Sequence, residues 1–566
     1  MNLIPQVKKL ELLGGAISKR GVKPYVCEID ARLGKALRKL PLDNQGLSLY
    51  FDIGNDASEE YRLELNEDSV RISSKGVNGA FYAIQTLRQL LKSDELFTLV
   101  IEDKPDFGYR GFYHDVTRGK VPKVETLKSL VDTLAYYKIN SLQLYVEHTY
   151  EFKECKKLNE KCGYLTAEEL KELDEYCQEN FIDFIPSIST FGHMYEILEL
   201  PESSDLRILP DLPPSTNRWL DRMRHHTINP EKDGSIKLIS SLIDQYSENF
   251  TSDYFNICCD ETFDLKEYAE KNGKNEGELY IGFVGKIIDH VKSKNKHAMM
   301  WGDILLHHPD MITKLPSDTV FLNWDYAKDP NEKNIEVFSK LGCKQIVCPG
   351  TSTWNKISEN VTVSEDNISK LAEYGYKYGA VGLLNTNWGD WGNACSLELA
   401  LYGLTLGAEK SWSARSAIDD EYYKRVDKLL YESDGGVSII KRLADMYTDG
   451  TYSALFVNYC HLVAGEKIEP LKLDISDIAR SQSEYKVISD MITKSAIRDD
   501  IKEEMLVAVE GTCLLTELGA KISGINIERV TNTERWIKKF RELWLKKNKP
   551  SELDMLTAVF EYIEAL

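Results

Sequence analysis

The 566-residue chain has no run of about 18 apolar residues, the length a membrane-crossing helix needs. Its first stretch, MNLIPQVKKLELLGG, lacks the apolar centre of a secretory leader. Positive charge is in deficit. The 70 Lys and Arg stand against 90 Asp and Glu, a formal charge of −20 that repels nucleic acid and anionic membrane surfaces. Neither is expected as a partner. Glycine and proline are not enriched, which excludes fibrous and disordered classes. The eleven cysteines form no CxxC pair and the ten histidines no HxH or HExxH spacing. Neither a disulfide framework nor a metal site is expected. Cys258 and Cys259 lie in an apolar run and read as core. Unpatterned thiols and the leaderless start favour a reducing compartment, the cytoplasm.

The residues that are present, 42% of them hydrophobic, suffice for several domains. Residues 47–54, 61–68 and 69–76 alternate like strands. NGAFYAIQTLRQLLK (78–92) then has helical spacing, with Ala80, Ala83, Ile84, Leu87 and Leu91 on one face. The Pro-containing IEDKPDFGYR (101–110) reads as a boundary. An N-terminal α/β accessory domain over 1–106 is expected.

From there the pattern changes. Eight apolar runs, GFYHDV (111–116), SLQLYV (141–146), DFIPSIS (183–189), YFNICC (254–259), HAMMWG (297–302), TVFLNW (319–324), QIVCPG (345–350) and GAVGLLN (379–385), alternate with polar, helix-like stretches. Strands apolar throughout are covered on both faces, so they are parallel. Eight in one domain predict a (β/α)8 TIM barrel over 107–409. A doubly wound open sheet is the alternative, weakened by the lack of a GxGxxG turn. After 410 the pattern is helical throughout. TERWIKKFRELWLKKN reads as a helix with a solvated outer face rather than a membrane-surface helix.

Barrel enzymes carry their chemistry at the C-terminal ends of the strands. There the sequence places His114 and Asp115, Glu147 and His148, His193, Asp260 and Glu261, and Trp301 and Asp303. Trp324, Asp325 and Tyr326 follow strand six, Trp354 strand seven, and Trp388, Asp390 and Trp391 strand eight. One such tryptophan would be ordinary packing. Five of the nine at matching strand ends suggest a concave site whose flat rings stack on the C–H face of a sugar. Adjacent Asp260 and Glu261 cannot ionise equally easily, so one can hold a proton beside an anion. That division of labour suits glycoside cleavage.

With these residues in order, the chain resembles family 20 glycoside hydrolases, the β-N-acetylhexosaminidases. Asp260-Glu261 looks like their catalytic pair. YRGFYHDVTRG (109–119), with Arg110 read as the sugar-binding arginine, resembles their first-strand motif. KINSLQLYVEH (138–148) resembles the second strand, and FGHMYE (191–196) the motif carrying a site histidine, His193. HHTINP (225–230) resembles the loop before strand four, and NGAFYAIQTLRQLL (78–91) their accessory-domain helix. The resemblance implies a substrate-assisted, retaining mechanism without a cofactor. The sugar's own acetamido oxygen attacks, Glu261 acts as acid and then base, and Asp260 orients the acetamido group. Trp301, Trp324 and Trp388 would wall the sugar and Asp390 would bind hydroxyls. Three departures stand out. Glu147-His148 replaces an Asp-Asp pair, TSTWNK lacks the usual tyrosine (a role assigned here to Tyr326), and Cys258-Cys259 replaces Gly-Gly. They imply a divergent branch with relaxed selectivity between GlcNAc and GalNAc. The expected substrates are glycans or glycoconjugates ending in β-linked GlcNAc or GalNAc, and a homodimer is compatible with this reading. Three alternatives are an O-GlcNAcase-like hydrolase, disfavoured by Glu261, a lacto-N-biosidase-like enzyme, and an inactive carbohydrate-binding barrel.

Overall fold

The computed structural model describes residues 1–18, 20–25, 28–93, 95–209, 218–222 and 226–566. His225 of the HHTINP loop lies outside the described residues. The N-terminal unit is a five-stranded sheet in the order β1-β5-β3-β4-β2. Its strands are β1 (Lys9–Ala16), β2 (Ser48–Ile53), β3 (Tyr61–Leu65), β4 (Ser69–Ser74) and β5 (Phe97–Asp103), and the helix Val77–Leu90 packs against them. Strands β1 and β5 were not anticipated. All of β1 is exposed, so its residues show no inward-facing alternation. The expected boundary at 101–110 begins inside β5, where Leu99, Ile101 and Asp103 alternate inward.

The barrel follows as β6 (Tyr109–Asp115), β7 (Ser141–Tyr145), β8 (Asp183–Ile185), β9 (Tyr254–Asn256), β10 (His297–Trp301), β11 (Val320–Trp324), β12 (Lys344–Cys348) and β13 (Gly382–Asn387). Each coincides with one of the eight apolar runs. All pairings are parallel, in the order β8-β7-β6-β13-β12-β11-β10-β9. A parallel bridge between Ser187 and Asn256 joins the two ends, with Asn256 N donating to Pro186 O at 2.8 Å. The sheet is therefore a nearly closed (β/α)8 barrel and not a doubly wound sheet.

Helices cover the outside because polar stretches with an apolar face separate the strands. In Ala167–Glu179, Thr166 and Glu169 form a capping box and Leu170, Leu173 and Cys177 face inward. Inside the barrel, Ile185, Met299, Val320, Leu322, Ile346 and Leu384 fill the lower space, and Tyr113, Tyr145, Trp301 and Trp388 belong to the same cluster. The C-terminal region is helical, with long elements at Ile475–Lys494, Asp499–Ile522, Thr533–Lys547 and Leu553–Ala565. The helix containing KKFRELWLKK buries Trp536, Ile537, Phe540, Leu543 and Trp544, so its apolar face is spent on this core. No helix among the described residues is long and apolar enough to cross a membrane.

Candidate active site

Beyond β9 the backbone turns through Cys258, Cys259 and Glu261 at φ of 55°, 67° and 47°. That left-handed region costs a residue with a Cβ about 1–2 kcal/mol. The turn is held residue by residue. Cys258 N donates to Asn256 Oδ1 at 2.9 Å, and Cys258 O accepts from Trp301 N at 3.0 Å. Cys259 O accepts from the Tyr280 hydroxyl at 2.8 Å, and Glu261 N donates to Asp303 Oδ2 at 3.1 Å. Asp260 and Glu261 thereby both line one pocket above the barrel. Gly192, from the FGHMYE motif, passes so close that a Cβ there would lie 2.3 Å from Asp260 O. Asp260 Oδ1 is buried and has no hydrogen-bond partner among the described residues.

His193 bridges the pair. Its Nε2 lies 3.3 Å from Asp260 Oδ2 and 3.2 Å from Glu261 Oε2. Its own amide donates to His226 Nδ1 at 2.9 Å, and the two rings stack at 4.8 Å. Burial alone would discharge this ring. The negative charge of Asp260 and the closeness of both carboxylates to Nε2 outweigh it and push the pKa up to about 10. The two acids thus bias His193 towards its cationic form.

The cleft contains an arginine, but it is not Arg110. Arg118 Nη1 lies 3.2 Å from Asp390 Oδ1 and 3.3 Å from Asp115 Oδ2, and its Nε lies 3.9 Å from Glu147 Oε1. Its guanidinium stands 4.8 Å from the centre of the Tyr145 ring and 5.1 Å from that of Trp388. Arg110 sits at the opposite, N-terminal end of β6. It is wholly buried, pairs with Glu59 of the N-terminal unit at 2.6 Å and donates to Lys138 O at 2.9 Å. It joins the accessory domain to the barrel and cannot reach the mouth. Five residues of strand, about 16 Å, separate it from Asp115. Both arginines lie in the quoted first-strand motif, and the barrel rule itself would have selected the one after Asp115.

Aromatic residues form the walls. The pocket has a cavity volume of about 130 Å³ and is lined by Trp301, Trp324, Tyr326, Trp354 and Trp388 with Arg118, Asp260, Glu261 and Asp390. The Trp301 and Trp388 rings lie 5.9 Å apart, and Trp324 stacks on Tyr326 at 5.0 Å. The Tyr326 hydroxyl accepts from Trp388 Nε1 at 2.7 Å, which fixes both rings. Burial pushes Glu147 above the usual carboxylate range while Arg118 opposes it, and Asp390 behaves in the same way.

A second space of about 140 Å³ adjoins the first across Arg118, Glu261 and Asp390, and Glu147, His193, Trp219, Arg222 and Trp391 also line it. The C-terminal helices support this wall. The Tyr452 hydroxyl donates to Trp391 O at 2.8 Å, and Arg222 Nη1 donates to Glu552 Oε2 at 3.0 Å. His148 lines neither space. It is buried, with Nδ1 3.9 Å from Glu147 Oε2. Among the described residues, two groups have the donors to approach a metal, His148 with Cys162 and Glu552, and His193 with Asp260 and Glu261. In the first, Glu552 already pairs with the Arg222 guanidinium.

Residues 107–389 match the Glycosyl hydrolase family 20 catalytic domain, and residues 1–104 match that family's domain 2. The chain belongs to glycosyl hydrolase family 20. Among curated proteins it is similar to the beta-hexosaminidase of Porphyromonas gingivalis, 28% identical over 341 residues, covering 50% of this chain and 43% of that protein. It is also similar to the lacto-N-biosidase of Bifidobacterium bifidum, 24% identical over 499 residues, covering 82% of this chain and 41% of that protein. The matches thus span less than half the length of these two relatives. The Flavobacterium johnsoniae chitobiase structure aligns over 99% of both chains at a TM-score of 0.62 and 17% identity. The Vibrio harveyi exo-β-N-acetylglucosaminidase, solved with N-acetylglucosamine, aligns over 75% of this chain and 76% of its own at 0.60 and 21%. At such identities these structures speak for the fold.

Proposed function

We propose that this family 20 member is a retaining exo-β-N-acetylhexosaminidase that removes terminal β-linked GlcNAc or GalNAc from glycans by substrate assistance. One observation carries the reading. Asp260 Oδ1, an acceptor without a partner, stands beside Glu261 in a pocket walled by Trp301, Trp324, Tyr326 and Trp388. An acetamido N–H is the donor such an acceptor lacks. With that group oriented, its carbonyl oxygen attacks the anomeric carbon. The glycosidic C–O bond breaks as Glu261 gives its proton to the departing oxygen, leaving an oxazolinium ion and a Glu261 carboxylate. Water then adds to the anomeric carbon, Glu261 takes its proton, and the acetamido group is restored. Two displacements on the same carbon retain the β configuration. The His193 imidazolium stabilises Asp260 and Glu261 when both are charged, and Arg118 with Asp390 and Glu147 forms a polar edge suited to ring hydroxyls.

A second reading, release of a disaccharide, has the adjoining space beside Arg118 and Trp391 in its favour. One panel separates the two. Aryl β-GlcNAc and β-GalNAc should be cleaved, and aryl β-glucoside and aryl β-lacto-N-bioside should not. Cleavage of the lacto-N-bioside alone would favour the second reading, and equal cleavage of the glucoside would remove the acetamido group from the mechanism. We further place the protein in the cytoplasm. The eleven cysteines follow no spacing typical of a disulfide framework, which fits a reducing compartment. Cell fractionation tests this.

A further inference from the structure

Asp303 is an acid bonded to the backbone of the catalytic turn that the reaction above does not use. It follows β10, one strand over from the catalytic pair, at the start of the short helix Asp303–His307. Its Oδ2 accepts the Glu261 amide at 3.1 Å, and its Oδ1, screened from solvent, has no hydrogen-bond partner among the described residues. The other left-handed residues of the turn are held by neutral groups, namely Asn256, Tyr280 and the Trp301 amide. Glu261 is held by an ionisable side chain from another strand. Its φ of 47° is the conformation that aims the acid into the pocket, and a free chain would leave it.

We propose that Asp303 is a positioning residue for the glycosidase reaction: by accepting the Glu261 amide hydrogen it locks the turn that presents the proton donor to the departing oxygen. This rests on the assignment of Glu261 as the acid. Burial first, and then the charge of Asp260, push the Asp303 pKa up to about 7. Burial thus shifts Asp303 towards its neutral form. An asparagine, whose amide oxygen can accept the same hydrogen, should therefore be tolerated, and an alanine should not.

Two leaving groups distinguish positioning from mere support. A dinitrophenyl group departs without protonation, whereas the sugar leaving group of N,N′-diacetylchitobiose requires it. Asp303→Ala should lower kcat on diacetylchitobiose by about 100-fold, lower it on dinitrophenyl β-GlcNAc by less than about fivefold, and leave KM within about threefold on both. Asp303→Asn should stay within about fivefold of wild type on both. Melting curves of each variant report folding. If the alanine variant does not fold, Asp303→Ser, too short to reach the Glu261 amide, takes its place. Equal losses on the two substrates, or an asparagine variant as impaired as alanine, would overturn the proposal. Wild-type protein inactive on both substrates would instead overturn the glycosidase assignment beneath it.

Discussion

Replacing Arg118 and Arg110 separately with alanine tests the geometry of the first barrel strand. Arg118 faces three carboxylates, Asp390, Asp115 and Glu147, and its side chain is 20% exposed. Stripping a buried carboxylate of its cation costs about 3–5 kcal/mol, and partial solvent access puts this site near the lower end. A charge-assisted hydrogen bond to a substrate hydroxyl adds about 1.5–3 kcal/mol. If about 3 kcal/mol of this is felt in the transition state, kcat/KM falls by roughly two powers of ten. Arg110 touches no part of the cleft. Its loss leaves Glu59 facing an empty buried site and unties the accessory domain, costing about 3–5 kcal/mol of folding stability. The assay is kcat/KM on aryl β-GlcNAc beside a thermal melt for both variants. Arg118→Ala should lose turnover with a modest change in melting temperature, and Arg110→Ala should melt earlier with its folded fraction nearly fully active. The reverse pattern would refute the placement of the two arginines.

Three further outcomes follow from the site. Tyr326→Phe removes the acceptor of Trp388 Nε1, which costs about 1–3 kcal/mol locally, so kcat/KM should fall about tenfold or more while far-UV circular dichroism stays unchanged. Gly192→Ala drives a methyl into the Asp260 carbonyl, so activity should fall far more than stability in paired activity and melting measurements. The folded pKa of His193, about 10, is raised above its unfolded value of about 6.5. The stability it contributes is therefore complete below about pH 6.5 and is lost as pH rises towards 10. The difference in melting temperature between wild type and His193→Gln should accordingly be largest in mild acid and narrow steadily with alkalinity.

The barrel was legible because each strand is buried on both faces and so appears as an unbroken apolar run. Strand β1 was not, because its residues are exposed and it sits at a sheet edge. The acids, His193 and the tryptophan walls were legible from their position after strands. The choice of arginine failed because a residue at the foot of a strand and one above its top lie eight positions apart in one motif, and only the strand's direction separates their roles. Trp219 and Arg222 of the second space follow no strand, so nothing in their spacing marked them. Asp303 was noticed at its strand end, but its bond to the Glu261 amide depends on a left-handed turn that Cys258-Cys259 does not advertise.

In the proposed reaction the substrate's own amide, oriented by Asp260, is the nucleophile. The most direct test of this is the rate of cleavage of aryl β-glucosaminides carrying N-acetyl, N-fluoroacetyl and N-trifluoroacetyl groups. Each fluorine withdraws electron density from the attacking oxygen, so kcat/KM should fall progressively along the series. A rate indifferent to fluorination would contradict the account.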